Sequence, residues 1–158
     1  MDNSVYIESS VISYLTARPS RDVVTSARQA ITLEWWENYK ILYHTYISEL
    51  VIGEISSGDE LAAKRRLKTI KNIPLLETTK NALQLAKNLL EEKAVPQNSA
   101  EDALHISIAS VQKMDFLLTW NFKHINNANT RRRIIDVIKE NGFMCPILCS
   151  PEELINER

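Results

Sequence analysis

The stretch that decides the fold is Val5-Tyr6-Ile7-Glu8-Ser9-Ser10, where three residues with good strand propensity run into a carboxylate and two hydroxyls. The first three residues predict a short buried strand. Strands commonly end where polar residues begin, so Glu8 on its own is as readily a strand end as a functional residue. Ligands of open α/β sheets, however, bind at the carboxyl ends of the strands. The remaining sequence has to decide between these two interpretations of Glu8.

Four further segments have the composition of buried strands, and helical patterns lie between the strands. The strands are predicted at Val5–Ile7, Ile41–His44, Ile73–Leu76, Phe116–Thr119 and Pro146–Cys149, and the helices at Asp22–Tyr39, Ile47–Ser56, Asp59–Ile70, Thr79–Lys93, Ser99–Lys113 and Asn129–Asn141. Strands that alternate with helices indicate a mainly parallel sheet with helices on both faces. We therefore predict α/β class, with one three-layer α/β/α domain over residues 1–158 and a central, mainly parallel sheet of about five strands.

Composition and charge exclude few partners but several classes of protein. The 158 residues are 44% hydrophobic and 25% charged, with a formal net charge of −1, which is ordinary for a globular domain. No secretory signal and no run of about 18 apolar residues is present, so we expect a cytoplasmic protein without a membrane span. Cys145 and Cys149 lack a second cysteine pair or a nearby histidine, so they are interpreted as reduced thiols rather than zinc ligands.

Acidic or amide side chains occupy four positions near the predicted strand ends and helix starts. Glu8 follows the first strand, Glu54 lies in the helix after the second, Asp102 opens the helix before the fourth, and Asn121 follows the fourth. Each has an ordinary explanation as a strand end, a helix-surface acid, a first-turn acid or a turn residue. Carboxylates that meet at one place repel each other unless a cation lies between them. Hard oxygen ligands of this kind suit Mg²⁺ or Mn²⁺.

Four blocks of sequence carry a resemblance to PIN-domain proteins, particularly the VapC-type toxins of bacterial and archaeal toxin–antitoxin pairs. The blocks are VYIESSVISYL, YISELVIGEI, AEDALHISIAS and FLLTWNFKHI, and the resemblance covers nearly the whole chain. In the family, the first block usually has an aspartate, the second ends on a glutamate, the third has an aspartate before Ala-Leu, and the fourth has an Asn or Asp after a strand. These positions correspond to Glu8, Glu54, Asp102 and Asn121.

The resemblance implies a Mg²⁺- or Mn²⁺-dependent ribonuclease that is the toxin of a toxin–antitoxin pair. Glu8, Glu54 and Asp102 would bind the metal, with Asn121 completing the catalytic set, and Ser9 or Ser10 could donate to a carboxylate or a metal-bound water. The implied partners are an RNA substrate, an antitoxin protein and a second copy of the chain. Glu8 stands where the family usually has Asp, and Asn121 where many members have Asp. These departures keep open an alternative, a catalytically weak or inactive PIN-like module that binds RNA or a protein.

Other candidates are weaker. His105 lies three residues after Asp102 and could support the site, but a lone histidine beside an apolar helix face is more often a packing or surface residue. The basic segments 64–71 and 131–133 could bind RNA phosphates, or they could simply be solvated helix faces. A third interpretation, a phosphatase-like hydrolase, needs an aspartate nucleophile after the first strand, and Glu8 fits it poorly.

Overall fold

A computed structural model describes residues 3–155 of the chain. Within this range the strands are β1 (Asn3–Ile7), β2 (Tyr43–Ser48), β3 (Leu75–Leu76), β4 (Phe116–Leu118) and β5 (Ile147–Cys149), and the helices are α1 (Ser9–Thr16), α2 (Val23–Glu34), α3 (Glu49–Ile55), α4 (Glu60–Thr69), α5 (Lys80–Glu91), α6 (Ala100–Val111) and α7 (Ala128–Glu140). One turn of π-helix follows α2 at Trp35–Tyr39, and 3-10 turns lie at Lys40–Leu42 and Pro151–Leu154.

The five strands form one parallel sheet in the order β3-β2-β1-β4-β5. Parallel neighbours must be joined by crossover connections, which the helices supply. The helices α1 to α4 pack on one another, and α5, α6 and α7 form a second packed group. The predicted α/β/α architecture with a parallel sheet of five strands is therefore confirmed. Because the chain builds outward in one direction from β1 to β3 and in the other from β4 to β5, the topological switch point lies between β1 and β4.

The second strand begins later than predicted. Ile41 is 87% exposed and belongs to the 3-10 turn Lys40–Leu42, so the predicted strand Ile41–His44 is wrong at both ends. The strand pairs with β1 from Asn3↔Tyr43 onward and continues to Ser48. The segment Tyr43–Ser48 has aromatic and β-branched side chains between polar residues, which suits a half-buried strand. The apolar pair Ile41–Leu42 had suggested that the strand begins earlier. The helix predicted from Ile47 consequently starts at Glu49, with Ser48 as its N-cap.

Helix α1 was not predicted. It begins directly after Glu8, buries Val11 and Ile12, and ends at Thr16, ahead of Ala17. Its three serines, its one threonine and its β-branched residues have modest helix propensity, and its two buried apolar side chains are adjacent, so the sequence shows no helical spacing. Tertiary contacts with α2, α3 and α4 stabilise this helix instead.

The remaining helices agree with the predicted ones to within two residues at most ends, with two differences. The segment Asp22–Tyr39 is an α-helix only as far as Glu34 and then widens into the π turn. Ser99 precedes α6 as predicted, but its hydroxyl makes no capping hydrogen bond and donates to Asn98 instead. The turn Pro151–Leu154 begins with a reciprocal capping box formed by Ser150 and Glu153.

The core surrounds the sheet and includes Cys149, with Cys145 packed against it. Val5, Tyr6 and Ile7 of β1 are fully buried, as a central strand between two layers of helices requires. Cys149 is buried and Cys145 half-buried, and both are free thiols, in agreement with the sequence prediction. Among residues 3–155, no helix is both long enough and apolar enough to cross a bilayer.

Candidate metal centre

The carboxyl ends of β1 and β4 place Glu8 beside the segment Thr119–Asn121. The two strands pair in register as far as Ile7↔Leu118, and the amide of Glu8 then donates to the carbonyl of Leu118 at 3.0 Å. Glu8 is only 6% exposed although it is charged. Buried carboxylates require hydrogen-bond donors or a cation, so the surroundings of Glu8 decide what this strand end can do.

Two hydroxyls fix the Glu8 carboxylate. Ser10 Oγ and Thr119 Oγ1 donate to Glu8 Oε1 at 2.5 and 2.6 Å, and the Ser10 amide donates to Oε2 at 3.0 Å. Each hydroxyl also accepts an amide from the loop after β4: Trp120 N donates to Ser10 Oγ, and Asn121 N donates to Thr119 Oγ1, both at 2.9 Å. Glu8 therefore serves as the N-cap residue of α1 and also ties α1 to the end of β4.

Glu54 reaches the same region from α3. Ser9 Oγ donates to Glu54 Oε1 at 2.5 Å, and His105 Nε2 lies 2.6 Å from the same oxygen. Glu54 is half-buried and Glu49 is exposed, as expected for two acids five residues apart on one helix. The contact with Ser9 brings α3 against the start of α1, next to Glu8.

A buried chain of polar groups continues from Glu54 into the core. His105 is fully buried on α6, and its Nδ1 lies 2.7 Å from the hydroxyl of Tyr6. That hydroxyl also lies 2.7 Å from Ser48 Oγ, at the end of β2. The sequence interpretation of His105 as a packing or surface residue is thus incomplete, because both its nitrogens contact polar partners.

Asp102 and Asn121 contact each other directly. Asn121 Nδ2 donates to Asp102 Oδ1 at 3.2 Å, and Asn121 Oδ1 accepts from the amide of His124 at 3.0 Å. Asp102 is half-buried in the first turn of α6, where the helix dipole favours a negative charge. The amide of Asn121 is therefore oriented by the turn that follows it and presents its donor to Asp102.

The electrostatics differ between the acids. Burial, followed by repulsion from Glu8, raises the pKa of Asp102, although His105, His124 and the bond from Asn121 oppose the rise. Burial, the largest influence, acts to raise the pKa of Glu54, but the hydrogen bond and electrostatic interaction with His105 and the hydrogen bond from Ser9 together lower this pKa. Repulsion between Asp102 and Glu8 is what a bound cation would relieve.

A divalent cation fits this donor set. Glu8, Glu54 and His105 each offer a ligand atom, and these atoms all lie within 4.8 Å of one another. Both nitrogens of His105 already have partners, which makes it a support for Glu54 rather than a free ligand. Among residues 3–155, the side-chain hydrogen bonds to Glu54 and Asp102 fall on one oxygen of each. The second oxygen of Glu54, with the Glu8 carboxylate, offers hard donors of the kind that Mg²⁺ and Mn²⁺ prefer, whereas Asp102 is not a member of this cluster.

Aromatic side chains hold the loop that carries Asn121. The guanidinium of Arg28 lies 5.5 Å from the ring centroid of Trp120 and 5.1 Å from that of Phe122. The indole of Trp120 donates to Thr32 Oγ1 at 2.8 Å. Helix α2 therefore fixes the residues on both sides of Asn121 through cation–π contacts and a buried hydrogen bond.

The structure thus brings the four predicted site residues to one edge of the sheet in two groups, Glu8 with Glu54 and Asp102 with Asn121. Thr119 links the groups, because its hydroxyl donates to Glu8 and accepts the amide of Asn121. Sequence reasoning missed the roles of Tyr6, Ser48 and Thr119. Thr119 is the last residue of the predicted fourth strand and lies two positions before Asn121. The expectation that polar residues at strand ends meet therefore applies to Thr119 as well. Tyr6 carries no such signal, because a tyrosine within a buried strand is an ordinary core residue.

Comparison with known proteins supports the fold. No protein-family model matches this chain, and no curated protein matches it. Among solved structures, the chain is similar to a chain of VapBC2 from Rickettsia felis, which was crystallised bound to a DNA fragment from the promoter. The superposition has a TM-score of 0.56 and covers 93% of this chain and 98% of that chain, at 16% sequence identity. The chain therefore has a VapC-like PIN fold.

Proposed function

We propose that this protein is a Mg²⁺- or Mn²⁺-dependent ribonuclease and the toxin of a toxin–antitoxin pair. The observation that carries the proposal is the cluster that Glu8 and Glu54 form with His105 at the switch point of a parallel sheet, where Glu8 also raises the pKa of Asp102. Ligand sites of open α/β sheets lie at this point. The fold shared with the Rickettsia felis VapBC2 chain supports the same assignment.

In this proposal Glu8, Glu54 and Asp102 bind the cation, and Asn121 orients Asp102. A bound cation of this type supplies an activated water at neutral pH and neutralises charge on the phosphate oxygens. The protein's own contribution is orientation. Ser10 and Thr119 hold the Glu8 carboxylate through Oε1, which compensates for its extra methylene relative to Asp. The Asn121 amide keeps one oxygen of Asp102 engaged, so that the other can face the cation.

The RNA backbone would lie along α4 rather than α7. A shallow depression of about 410 Å³ between α1, α2 and α4 is lined by Leu15, Thr16, Leu33, Trp36, Arg65, Lys68 and Thr69. It combines cations for phosphates with an aromatic ring on which a base could stack. In contrast, Arg131 of α7 donates to Asn126, and Arg133 pairs with Glu92. Arg66 on α4 is also occupied, since it donates to the carbonyls of Ile55 and Ser57.

The experiment that tests the proposal is Mn²⁺-dependent cleavage of a mixed pool of structured RNAs. We compare the wild type with Asp102→Asn, and use Asp136→Asn as the matched control because Asp136 is an exposed acid on α7. We expect cleavage by the wild type and the control only, with unchanged circular dichroism in all three. Equal cleavage by Asp102→Asn would show a contaminating nuclease or an error in the site.

A PIN-like module that binds RNA or a protein without cutting is the second candidate. It is favoured by the hydrogen bonds that Glu8 already accepts on both carboxylate oxygens, three in all from Ser10 and Thr119. A carboxylate satisfied by the protein gains less from a cation. Titration with Mg²⁺ and Mn²⁺ distinguishes the two candidates. The ribonuclease requires that the cation binds at millimolar concentrations or below, whereas the binding module does not require a cation.

The antitoxin would be a small protein whose helix or strand covers the acidic site and the adjoining apolar surface. Affinity purification of the tagged protein from its native host is expected to retain such a partner, and recovery of the protein alone would count against the toxin assignment. We also propose a homodimer, on the family resemblance alone. Sedimentation equilibrium of the purified chain tests this by giving the mass of the particle directly.

A further inference from the structure

A buried side chain that the proposed reaction does not use connects the candidate metal centre to the core. His105 is fully buried, Nε2 lies 2.6 Å from Glu54 Oε1, and Nδ1 lies 2.7 Å from the Tyr6 hydroxyl. The Tyr6 hydroxyl in turn lies 2.7 Å from Ser48 Oγ, which accepts the amide of Val51 at 3.4 Å. The four side chains come from β1, β2, α3 and α6, so the chain of contacts crosses the sheet.

The chemistry of these groups fixes the direction of the hydrogen bonds. An ionised carboxylate only accepts, so Nε2 of His105 must be the donor to Glu54. In the neutral imidazole Nδ1 is then an acceptor, and the Tyr6 hydroxyl donates to it. The Tyr6 oxygen is left to accept from the Ser48 hydroxyl, whose own oxygen accepts from Val51. Every donor in this arrangement has one acceptor, as buried polar groups require.

The opposite direction is less satisfactory. If Nδ1 carried the proton, Tyr6 would have to donate to Ser48, whose oxygen also receives the amide of Val51. The Ser48 hydroxyl hydrogen would then have no acceptor among residues 3–155. A buried donor left without a partner is costly, on the order of 1–3 kcal/mol. Burial, the largest influence on Tyr6, raises the pKa of its hydroxyl, which accordingly keeps its proton as a donor.

We propose that His105 is a positioning residue for Glu54, held as the Nε2–H tautomer by the buried Tyr6–Ser48 pair. With Ser9, it saturates Glu54 Oε1 and turns Oε2 toward the cation. The inference rests on the proposed metal-dependent function of the same site. Histidine and hydroxyl groups that orient a ligating carboxylate are part of the design of metal centres, and their removal typically lowers metal affinity about 10–100-fold.

Three substitutions separate positioning from simple packing. Tyr6→Phe removes the donor to Nδ1 while keeping the ring. His105→Leu removes the donor to Glu54, and His105→Gln places a side-chain amide where Nε2 was and should restore part of the effect. Two readouts are measured: the tautomer of His105, by NMR of ¹⁵N-labelled histidine in the metal-free and Mg²⁺-loaded protein, and the Mn²⁺ dissociation constant, by calorimetry. Circular dichroism and a thermal melt establish that each variant is folded.

We expect a single Nε2–H tautomer in the metal-free wild type and a changed histidine spectrum in Tyr6→Phe. We expect the Mn²⁺ dissociation constant to rise about 10–100-fold in His105→Leu and by less in His105→Gln. If His105→Leu fails to fold, Tyr6→Phe and His105→Gln carry both readouts. An Nδ1–H tautomer in the wild type overturns the inference. Unchanged Mn²⁺ affinity in the folded variants overturns it while leaving the proposed function intact, whereas a wild type that binds no Mn²⁺ removes both.

Discussion

At the scale of single residues, Glu8 shows how a longer carboxylate is accommodated at the end of a central strand. Its extra methylene is taken up because the side chain folds over the first turn of α1 and receives the Ser10 amide at 3.0 Å. The hydroxyl of Thr119 donates to Glu8 Oε1 at 2.6 Å. The sequence indicates Glu8 and Ser10 as neighbours, but Thr119 is 111 positions away and enters only through the pairing of β1 with β4.

The two half-buried acids are expected to titrate in opposite directions from their ordinary values. Burial and the nearby Glu8 raise the pKa of Asp102, so this acid destabilises the fold as the pH rises from the unfolded-state value of 3.8. Despite burial, the contacts with His105 and Ser9 lower the pKa of Glu54, so its contribution is present above 4.5 and is lost as the pH falls below that value. Carboxyl-detected NMR of the metal-free protein measures both titrations.

The control repeats this titration with saturating Mg²⁺, which is diamagnetic. Because a cation favours the ionised carboxyl, the proton on Asp102 should then be lost at a lower pH. A titration of Asp102 that is the same with and without Mg²⁺ would contradict its assignment as a ligand. A rise in the pKa of Glu54 above its ordinary value would contradict the hydrogen bond from His105.

Replacing Asn121 with Asp tests whether the amide lowers the charge of the site. Asn121 Nδ2 lies 3.2 Å from Asp102 Oδ1, so Asn121→Asp opposes two carboxylates at this distance. Without metal, we expect the free energy of unfolding to fall by roughly 1–4 kcal/mol at neutral pH. With saturating Mn²⁺, the loss should be reversed, and the melting temperature should rise more on adding metal than in the wild type.

The matched control is Asn129→Asp, at an exposed position in the first turn of α7. An acid is favourable at this end of a helix, so this variant should be no less stable than the wild type, with or without metal. If both variants responded alike, the effect would come from net charge and not from the contact with Asp102.

At the scale of elements, the helices around the site are joined to the strand ends by few buried polar bonds. The indole of Trp120 donates to Thr32 Oγ1 at 2.8 Å, which fixes the loop after β4 against α2. Thr32 is fully buried, and its hydroxyl also donates to the carbonyl of Arg28 at 2.6 Å. The position of Asn121 in the site therefore depends on a helix whose sequence carries no catalytic residue.

Thr32→Val keeps the shape of the side chain but leaves the Trp120 indole without its acceptor. We expect a loss of about 1–3 kcal/mol in the free energy of unfolding, measured by urea denaturation. Trp120→Phe removes the donor, and the double variant completes a thermodynamic cycle. A coupling free energy near zero between the two positions would show that the hydrogen bond does not hold the loop.

The sequence predicts most elements but not how the first helix and the second strand begin. Strong apolar periodicity made α5, α6 and α7 predictable, and Glu54 and Asp102 were placed on helices for the same reason. Helix α1 was not predicted because its serines and β-branched residues disfavour a helix, which becomes stable only when α2 and α4 pack against it. The apolar pair Ile41–Leu42 suggested a strand, whereas both side chains are more than half exposed.

At the scale of the whole molecule, the site exists because the sheet reverses its direction of growth between β1 and β4. Strand order cannot be obtained from local sequence, since it depends on pairings such as Val5↔Phe116 between distant segments. Once that order is given, the polar residues after β1 and β4 must meet, and α3 and α6 bring Glu54 and Asp102 to the same edge. The sequence therefore indicated which residues are candidates for the site, and the topology determined which of them contact one another.

The thiol of Cys149 reports how this sheet opens. Burial raises the pKa of Cys145 and of Cys149 to about 12, so both thiols are protonated and unreactive near neutral pH. Because thiols of the unfolded chain ionise near 9.0, the stability of the fold should decline as the pH rises from about 9 towards 12. In a Cys145→Ser variant, labelling by a thiol reagent at pH 8 then follows Cys149 alone.

Strand β5 has three residues and pairs with β4 on one side only, at the edge of the sheet. Its pairing could be lost without unfolding the rest of the protein, but Leu148 and Cys149 are less than 5% exposed and pack in the same core as the central strands. We therefore expect Cys149 to be labelled only through global unfolding, so that its rate increases with urea as steeply as the unfolding equilibrium does. A labelling rate that stays constant at low urea would instead show that β5 separates from β4 as an independent unit, because a local opening exposes too little surface to respond to denaturant.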